Sequence, residues 1–170
     1  LEFRRVLFRS RAFAPLPPEW QLVILGEGPE RETIRNEALR LGVGHRVHLP
    51  GFARDPAKVL GLFDLFALSS DSEQFPISVV EAMAAGLAVA APRVGDVADI
   101  VSSRNRPYLS EPGDEAGLAQ VLQALAADPQ LRAELGKANR ELAREAYDEA
   151  GMIAAYRDVY GQAMGRSSFP

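Results

Sequence analysis

Short apolar runs alternate with amphipathic segments along most of this chain. Four runs rich in apolar residues predict buried β-strands at about 21–25, 46–49, 65–68 and 88–91. Apolar residues three or four positions apart predict helices at about 30–41, 56–62, 76–85, 114–127, 129–145 and 149–164. Strands that are buried on both faces and joined by helices form parallel sheets. The pattern therefore predicts an α/β fold with a doubly wound parallel sheet and C-terminal helices, and ligands are expected at the carboxyl ends of its strands.

The composition is that of an ordinary globular domain. The 170 residues can bury one full-sized core, and neither the 47% hydrophobic content nor the net charge of −4 indicates disorder or a nucleic-acid partner. The absence of cysteine excludes disulfides and thiolate metal sites, and two histidines, His45 and His48, are too few for a histidine-rich zinc site. No apolar run approaches about 20 residues and no signal-peptide pattern is evident, so we expect a cytoplasmic location.

The first ten residues differ from the rest of the chain. In 1–10, arginines alternate with large apolar residues, without a cap, a turn or a partner segment. We interpret 1–10 as a non-native segment and leave it out of the fold prediction. A short basic amphipathic anchor is the alternative interpretation.

The most informative motif lies between the third and fourth predicted strands. Glu73 and Glu81 bracket seven residues there, and Pro76 stands before an apolar helical pattern. Because proline has no N–H and a fixed φ, we predict Pro76 as the first residue of this helix. The amides of Ile77 and Ser78 would then be unpaired at a positive helix end, which suits a phosphate. Glu73 would lie beside a bound anion, and Glu81 would lie more than one turn inside the helix.

The segment 66–92 resembles the glutamate-x7-glutamate signature of the family-four retaining glycosyltransferases. These enzymes have the two-domain GT-B fold, and the resemblance covers about 11–164, which would be the C-terminal half. It implies a Rossmann-like, nucleotide-sugar-binding domain at 11–147, a C-terminal crossover helix at 148–164 and a tail at 165–170. The apolar stripe of the last helix would then cover the other domain, and packing onto its own sheet is the alternative that the sequence leaves open.

The resemblance implies that the chain supplies the donor-binding half of a glycosyltransferase. Such an enzyme transfers a sugar from a UDP- or GDP-linked donor to a hydroxyl acceptor, with retention of configuration. The implied partners are the nucleotide-sugar and an N-terminal acceptor domain, which is compatible with peripheral association at the inner face of the membrane. No nucleic acid, metal or further cofactor is implied. Asp71-Ser72-Glu73 comes nearest to an Asp-x-Asp metal motif, and we interpret it as the loop that positions Glu73.

The resemblance also implies roles for individual residues. Glu73 would contact the donor sugar near the reacting face as the catalytic residue, and Glu81 would hold the ribose hydroxyls. The other donor-binding candidates are Phe75, the amides of Ile77, Ser78 and Val79, Gly26 and Gly28 after the first strand, and Phe52 and Arg54 after the second. The two glycines fit either a close approach to a ligand or an ordinary tight turn. Arg54 fits either a base contact or a solvated surface position.

The chain departs from the family pattern in three respects. Gln74 stands where glycine is frequent, and Ala88 stands where proline is frequent. The arginine and lysine with which the family neutralises the donor diphosphate have no match in the chain. We therefore expect the isolated chain to bind the donor weakly and to be an inactive fragment.

Three other functional classes remain open. Gly26-x-Gly28 suggests an NAD-dependent dehydrogenase, but Arg31 stands where the third glycine is required and Leu49-Pro50 lacks a ribose-binding acid. A GT-B sugar-nucleotide epimerase shares the fold, but its histidine-based chemistry finds few residues here. A non-catalytic nucleotide-binding or interaction module that docks through its last helix is the non-enzyme alternative.

Overall fold

The computed structural model describes residues 10–165. The interpretation of 1–10 therefore falls almost wholly outside the described residues and stays a prediction. The strands are β1 (Leu22–Leu25), β2 (Val47–Gly51), β3 (Phe66–Ala67), β4 (Val89–Pro92) and β5 (Leu109–Ser110). The helices are α1 (10–13), α2 (Arg31–Arg40), α3 (Ala57–Leu60), α4 (Ile77–Ala84), α5 (Val97–Ile100), α6 (Glu115–Ala127), α7 (Pro129–Ala146) and α8 (Glu149–Ala163).

All observed strand pairs are parallel, as the alternation of strands and helices predicts. β1 pairs with β2, and β3, β4 and β5 pair in that order. The doubly wound architecture is confirmed, but within residues 10–165 the hydrogen-bonded sheet is divided into two parts, one of β1 and β2 and one of β3, β4 and β5. The prediction missed β5, because this strand has only two residues, Leu109 and Ser110, and no apolar run of its own.

β4 lies at the centre of the core. All four of its residues are buried. Because side chains alternate along a strand, Ala90 packs with Leu118 of α6, whereas Val89 and Ala91 pack with Val79 of α4 on the other face. One short strand therefore connects both layers of helices.

Two buried asparagines take the place of a strand partner beside β4. Asn105 accepts the Val89 N–H at 2.9 Å through Oδ1 and donates to the Val89 carbonyl at 2.7 Å through Nδ2. Asn139 of α7 donates to Asn105 Oδ1 and to the Leu87 carbonyl, both at 2.9 Å. Its Oδ1 accepts the Ser102 hydroxyl at 2.7 Å. The network pairs buried backbone groups and joins α7 to the sheet.

α7 and α8 differ sharply in how they pack. Gly136 of α7 lies so close to the Gly86 carbonyl, at the end of α4, that a Cβ at position 136 would clash with it. In α8, by contrast, the apolar stripe is exposed, with Tyr156 at 58% and Val159 at 62% exposure. The self-packing alternative for the last helix is therefore wrong for the described residues.

Within 10–165, the helices lack the length and apolar content to span a bilayer.

A buried carboxylate joins α1 to α2. Glu37 accepts hydrogen bonds from Arg40 at 2.7 and 2.8 Å and from Arg11 at 2.8 Å. The hydrogen bonds from Arg40, followed by the hydrogen bond from Arg11, lower the pKa of Glu37 from its ordinary value of 4.5 to about 2. The ionised form is thus stabilised by folding.

We expect Asn139→Ala to lower the free energy of unfolding by about 3 kcal/mol, because it leaves the Leu87 carbonyl and the Ser102 hydroxyl buried without partners at about 1–3 kcal/mol each. Urea unfolding measures this change. The matched control is Asn36→Ala, at an exposed position of α2, which should change stability by less than about 0.5 kcal/mol. Equal stability of the two variants would show that the asparagine network contributes nothing.

Acidification should destabilise the protein partly through Glu37. Because the folded-state pKa is depressed, its contribution is fully present above pH 4.5 and is lost as the pH falls towards about 2. We expect the free energy of unfolding of Glu37→Gln to fall less steeply over this interval than that of the parent. Chemical unfolding at stepped pH measures the slopes. Glu32→Gln, on the exposed face of the same helix, should keep the parental slope; a parental slope in Glu37→Gln would contradict the assignment.

Candidate functional site

The carboxyl ends of the parallel strands carry the candidate residues. Gly26 follows β1, Phe52 follows β2, the loop that contains Glu73 leads from β3 into α4, and Gly95 lies in the loop after β4. Ligands of doubly wound proteins bind at this edge of the sheet. The sequence prediction of where the site lies is therefore consistent with the topology.

The start of α4 differs from the prediction by one residue. Pro76 is the residue before the helix, with extended angles of φ −73° and ψ 103°, and Ile77 is the first helical residue. The prediction of Pro76 as the first helical residue is therefore wrong, because its ψ is not helical. The Val79 N–H donates to the Pro76 carbonyl at 3.0 Å, so this amide is already engaged. Within 10–165, the amides of Ile77 and Ser78 donate to no backbone carbonyl, and they remain as the donors for an anion.

The loop before α4 is held by the loop after β4. The Asp96 N–H donates to the Gln74 carbonyl at 2.9 Å. Gly95 has a φ of +51°, and a Cβ there would collide with the Glu73 carbonyl and lie 2.7 Å from the Gln74 carbonyl oxygen. Only glycine combines this backbone conformation with this close approach. The position of Glu73 therefore depends on a residue in the next strand–loop unit.

Phe75, in the loop before α4, is held by a ring contact with Tyr147. Its ring meets that of Tyr147 edge-on, with centroids 5.6 Å apart. The Tyr147 hydroxyl donates to the Ile100 carbonyl at 3.3 Å, and burial, followed by the charge of Asp99, raises the pKa of Tyr147. Phe75 is nevertheless 47% exposed, so part of its ring is available to a ligand. Nothing in the sequence indicated Tyr147, because it is far from Phe75 along the chain.

The two glutamates lie on either side of the helix start. Glu73 is half-buried in the preceding loop, and Glu81 is half-buried inside α4. Glu81 lines a cavity of about 330 Å³ together with Ser78. Neither carboxylate forms a hydrogen bond or an ion pair with another group within residues 10–165. Both are therefore free to accept hydrogen bonds from hydroxyl groups.

The loops after β1 and β2 form a second part of the site. The Gly26 N–H donates to the Gly51 carbonyl at 2.8 Å. Apart from the adjacent residues in the chain, no heavy atom of residues 10–165 lies within 4 Å of where a Cβ would stand at Gly26 or Gly28, so the backbone is open to a ligand. Phe52 is 72% exposed, and Arg54 is exposed. The described residues show no hydrogen bond between these loops and the loop before α4, so the structure leaves the two parts separate.

Arg93 is a cation at this edge that the sequence analysis did not single out. It follows β4, donates to the Arg106 carbonyl at 2.8 Å and lies 3.7 Å from Glu111. Its position directly after a buried strand was the available signal. Because it is already engaged by two groups, we do not assign it to an anion. Among the described residues, no three acidic or histidine side chains gather as metal ligands.

Known proteins resemble the chain in sequence over most of its length. N-acetyl-alpha-D-glucosaminyl L-malate synthase of Bacillus anthracis is 31% identical over 159 residues, which are 92% of this chain and 42% of that protein. D-inositol 3-phosphate glycosyltransferase of Xylanimonas cellulosilytica is 36% identical over 163 residues, which are 92% of this chain and 39% of that protein. The chain thus spans less than half the length of these relatives.

Solved structures match the fold. Sucrose-phosphate synthase of Thermosynechococcus elongatus superposes with a TM-score of 0.87 at 25% identity, over 97% of this chain and 43% of that one. HepE of Anabaena, crystallised in complex with UDP, superposes with a TM-score of 0.82 at 24% identity, over 92% of this chain and 44% of that one. The family model described as glycosyl transferases group 1 matches residues 9–142. With most of its length covered by that model, the chain belongs to the group 1 glycosyl transferases.

Proposed function

We propose that this chain is the donor-binding half of a retaining glycosyltransferase that uses a UDP- or GDP-linked sugar. The observation that carries the proposal is the start of α4, where the amides of Ile77 and Ser78 and the carboxylates of Glu73 and Glu81 have no hydrogen-bond partner among residues 10–165. A helix start binds anions, and free carboxylates accept hydroxyl groups. A nucleoside diphosphate sugar has the diphosphate and the two sets of hydroxyls that such a site would bind.

Two relatives support glycosyl transfer as the reaction class. The names of the Bacillus and Xylanimonas proteins describe a glucosaminyl transfer to malate and a glycosyl transfer to inositol phosphate. Their acceptors differ, so the acceptor of this chain stays undefined. The UDP in the HepE crystals is compatible with a uridine donor.

The proposed chemistry assigns separate tasks to the helix start and the glutamates. The amides of Ile77 and Ser78 stabilise the charge that accumulates on the departing diphosphate, and they need no reorganisation because α4 fixes them. Glu81 accepts the ribose hydroxyls, and Glu73 accepts hydroxyls of the donor sugar near the reacting carbon. Retention of configuration rests on the glutamate-x7-glutamate resemblance. The assigned residues require no metal, and catalysis requires an acceptor domain.

Saturation-transfer NMR on the 170-residue chain tests the donor class directly. UDP-glucose, GDP-mannose and NAD are the three ligands to compare. We expect transfer to one of the two sugar nucleotides and none to the nicotinamide ring of NAD. Binding of NAD alone would overturn the proposal. Weak binding is expected, because no unpaired cation has been assigned to the diphosphate.

Substitution of the two glutamates should have different effects. We expect Glu81→Ala to weaken UDP binding by about tenfold or more, because a hydrogen bond to a charged group contributes about 1.5–3 kcal/mol. Glu73→Ala should leave UDP affinity nearly unchanged and chiefly lower turnover in the enzyme that includes the acceptor domain. Isothermal titration and initial rates measure the two effects.

The matched control for both glutamates is Glu145→Ala, which removes an exposed carboxylate near the end of α7. It should change neither affinity nor turnover. If the Glu73 and Glu81 variants behave like this control, the roles assigned to the two carboxylates are wrong.

Gly95→Ala should disturb the site without changing any candidate side chain. The left-handed φ costs a non-glycine residue about 1–2 kcal/mol, and the new Cβ would displace the backbone of Glu73 and Gln74. We expect lower thermal stability, shifted NMR signals for the Glu73 loop and reduced turnover. Gly61→Ala is the control, because Gly61 has helical angles and open space around it. Unshifted signals for the Glu73 loop in Gly95→Ala would contradict this dependence.

A further inference from the structure

Tyr147 lies in the turn between α7 and α8. α7 ends at Ala146 and α8 begins at Glu149, so this turn is short. The Tyr147 N–H donates to the Ala143 carbonyl at 3.1 Å, which continues the hydrogen-bonding pattern of α7. Ala143 is buried in a core cluster that α4 also enters. The backbone of Tyr147 is therefore fixed to the α/β body.

α5 supports the loop before α4 at two places. At the start of α5, the Asp96 N–H donates to the Gln74 carbonyl at 2.9 Å. At its end, the Ile100 carbonyl accepts the Tyr147 hydroxyl at 3.3 Å. The Tyr147 ring in turn meets the Phe75 ring, with an angle of 72° between their planes. The same short helix thus holds Gln74 directly and Phe75 through Tyr147.

A stiff segment joins Phe75 to the first amide of α4. The residue before a proline is restricted to extended angles, and the pyrrolidine ring fixes the φ of Pro76, which is −73°. The ψ of Pro76 is restrained in turn, because its carbonyl accepts the Val79 N–H at 3.0 Å. Little backbone freedom therefore remains between Phe75 and Ile77. A displacement of Phe75 must move the Ile77 N–H as well.

The ring of Tyr147 restrains Phe75 more strongly than its hydroxyl does. The hydroxyl lies 3.3 Å from the Ile100 carbonyl oxygen, which is longer than the usual O–H···O distance. The two rings, by contrast, have the edge-to-face geometry that aromatic pairs prefer. Among residues 10–165, no second aromatic ring pairs with that of Phe75. Loss of the ring at position 147 therefore removes the aromatic support of the loop.

We propose that Tyr147 is a positioning residue of the candidate donor site. Its ring holds Phe75, and through the Phe75–Pro76 segment it aims the Ile77 and Ser78 amides at the diphosphate. The inference rests on the proposed function, because it assigns a task at the same site. Tyr147 acts through Phe75 and takes no part in the chemistry. Since Tyr147 continues α7, the helix that completes the core also sets the geometry of the anion site.

NMR on the ligand-free 170-residue chain tests the positioning role without a nucleotide. Tyr147→Leu removes the ring but keeps an apolar side chain. We expect it to shift the amide signals of Ile77 and Ser78 and to abolish the ring-current shift of Phe75. Tyr147→Phe keeps the ring and should retain the parental signals. Tyr108→Leu is the control for lost packing alone, since Tyr108 is half-buried against a different core cluster; it should leave these signals unshifted.

Isothermal titration with a nucleotide tests the consequence for binding. UDP and GDP are the probes, and the one that the parent binds more tightly is used throughout. We expect Tyr147→Leu to weaken its binding about fivefold, as the loss of one aromatic pair implies, and Tyr147→Phe to stay within about twofold. If Tyr147 acts through Phe75, adding Tyr147→Leu to Phe75→Leu should weaken binding no further.

Circular dichroism checks that each variant folds. If Tyr147→Leu does not fold, Phe75→Leu removes the same ring pair from the other side, and unshifted Tyr147 ring signals would then contradict the inference. Unshifted Ile77 and Ser78 amides in Tyr147→Leu, equal effects of Tyr147→Phe and Tyr147→Leu, or additive losses in the double variant would overturn it. Failure of both UDP and GDP to bind the parent would overturn the proposed function instead, and the ligand-free spectra would still decide the positioning role.

Discussion

The structure depends on the requirement that every backbone group of the buried strand β4 has a hydrogen-bond partner. β3 and β5 supply part of the partners, and the Asn105 side chain pairs with both backbone groups of Val89. Asn139 then fixes Asn105 and brings α7 against the sheet. Because Val89, Ala90 and Ala91 divide their side chains between two core clusters, the same pairing sets the position of both helical layers. The loops at the carboxyl end of the sheet take their positions from it.

The candidate site is assembled from elements that are distant in sequence. α4 supplies the two amides and Glu81, but the loop that precedes it is held by Asp96 and Gly95 on one side and by Tyr147 on the other. Such supports fix a short loop without using its functional side chains, so that Glu73 and Glu81 remain unpaired within the described part of the chain. A site prepared in this way loses little conformational entropy when a ligand binds. The two loops that carry Gly26 and Phe52 are joined to each other instead, through Gly51.

Local patterns in the sequence predicted what local interactions determine. The apolar runs identified β1 to β4, and the proline and small polar residues identified the start of α4 to within one residue. Contacts between distant residues had no such signal. The pairing of Asn105 with Val89, the support of Phe75 by Tyr147 and the close approach of Gly95 to Glu73 all join segments whose relative positions only the fold defines. β5 was missed for the same reason, since its two residues form a strand only because β4 offers an edge. The division of the sheet could not be predicted either, because the composition of β1 is that of a paired interior strand.

The exposed stripe of α8 favours local unfolding of this helix. Among its residues only Gly161 is buried, and the Asp148 carboxylate caps the helix through the Gly151 amide. A helix with so few tertiary contacts exchanges its amides through local fraying rather than through cooperative unfolding of the whole domain. Among residues 10–165, α8 therefore belongs to a foldon that is less protected than the α/β body.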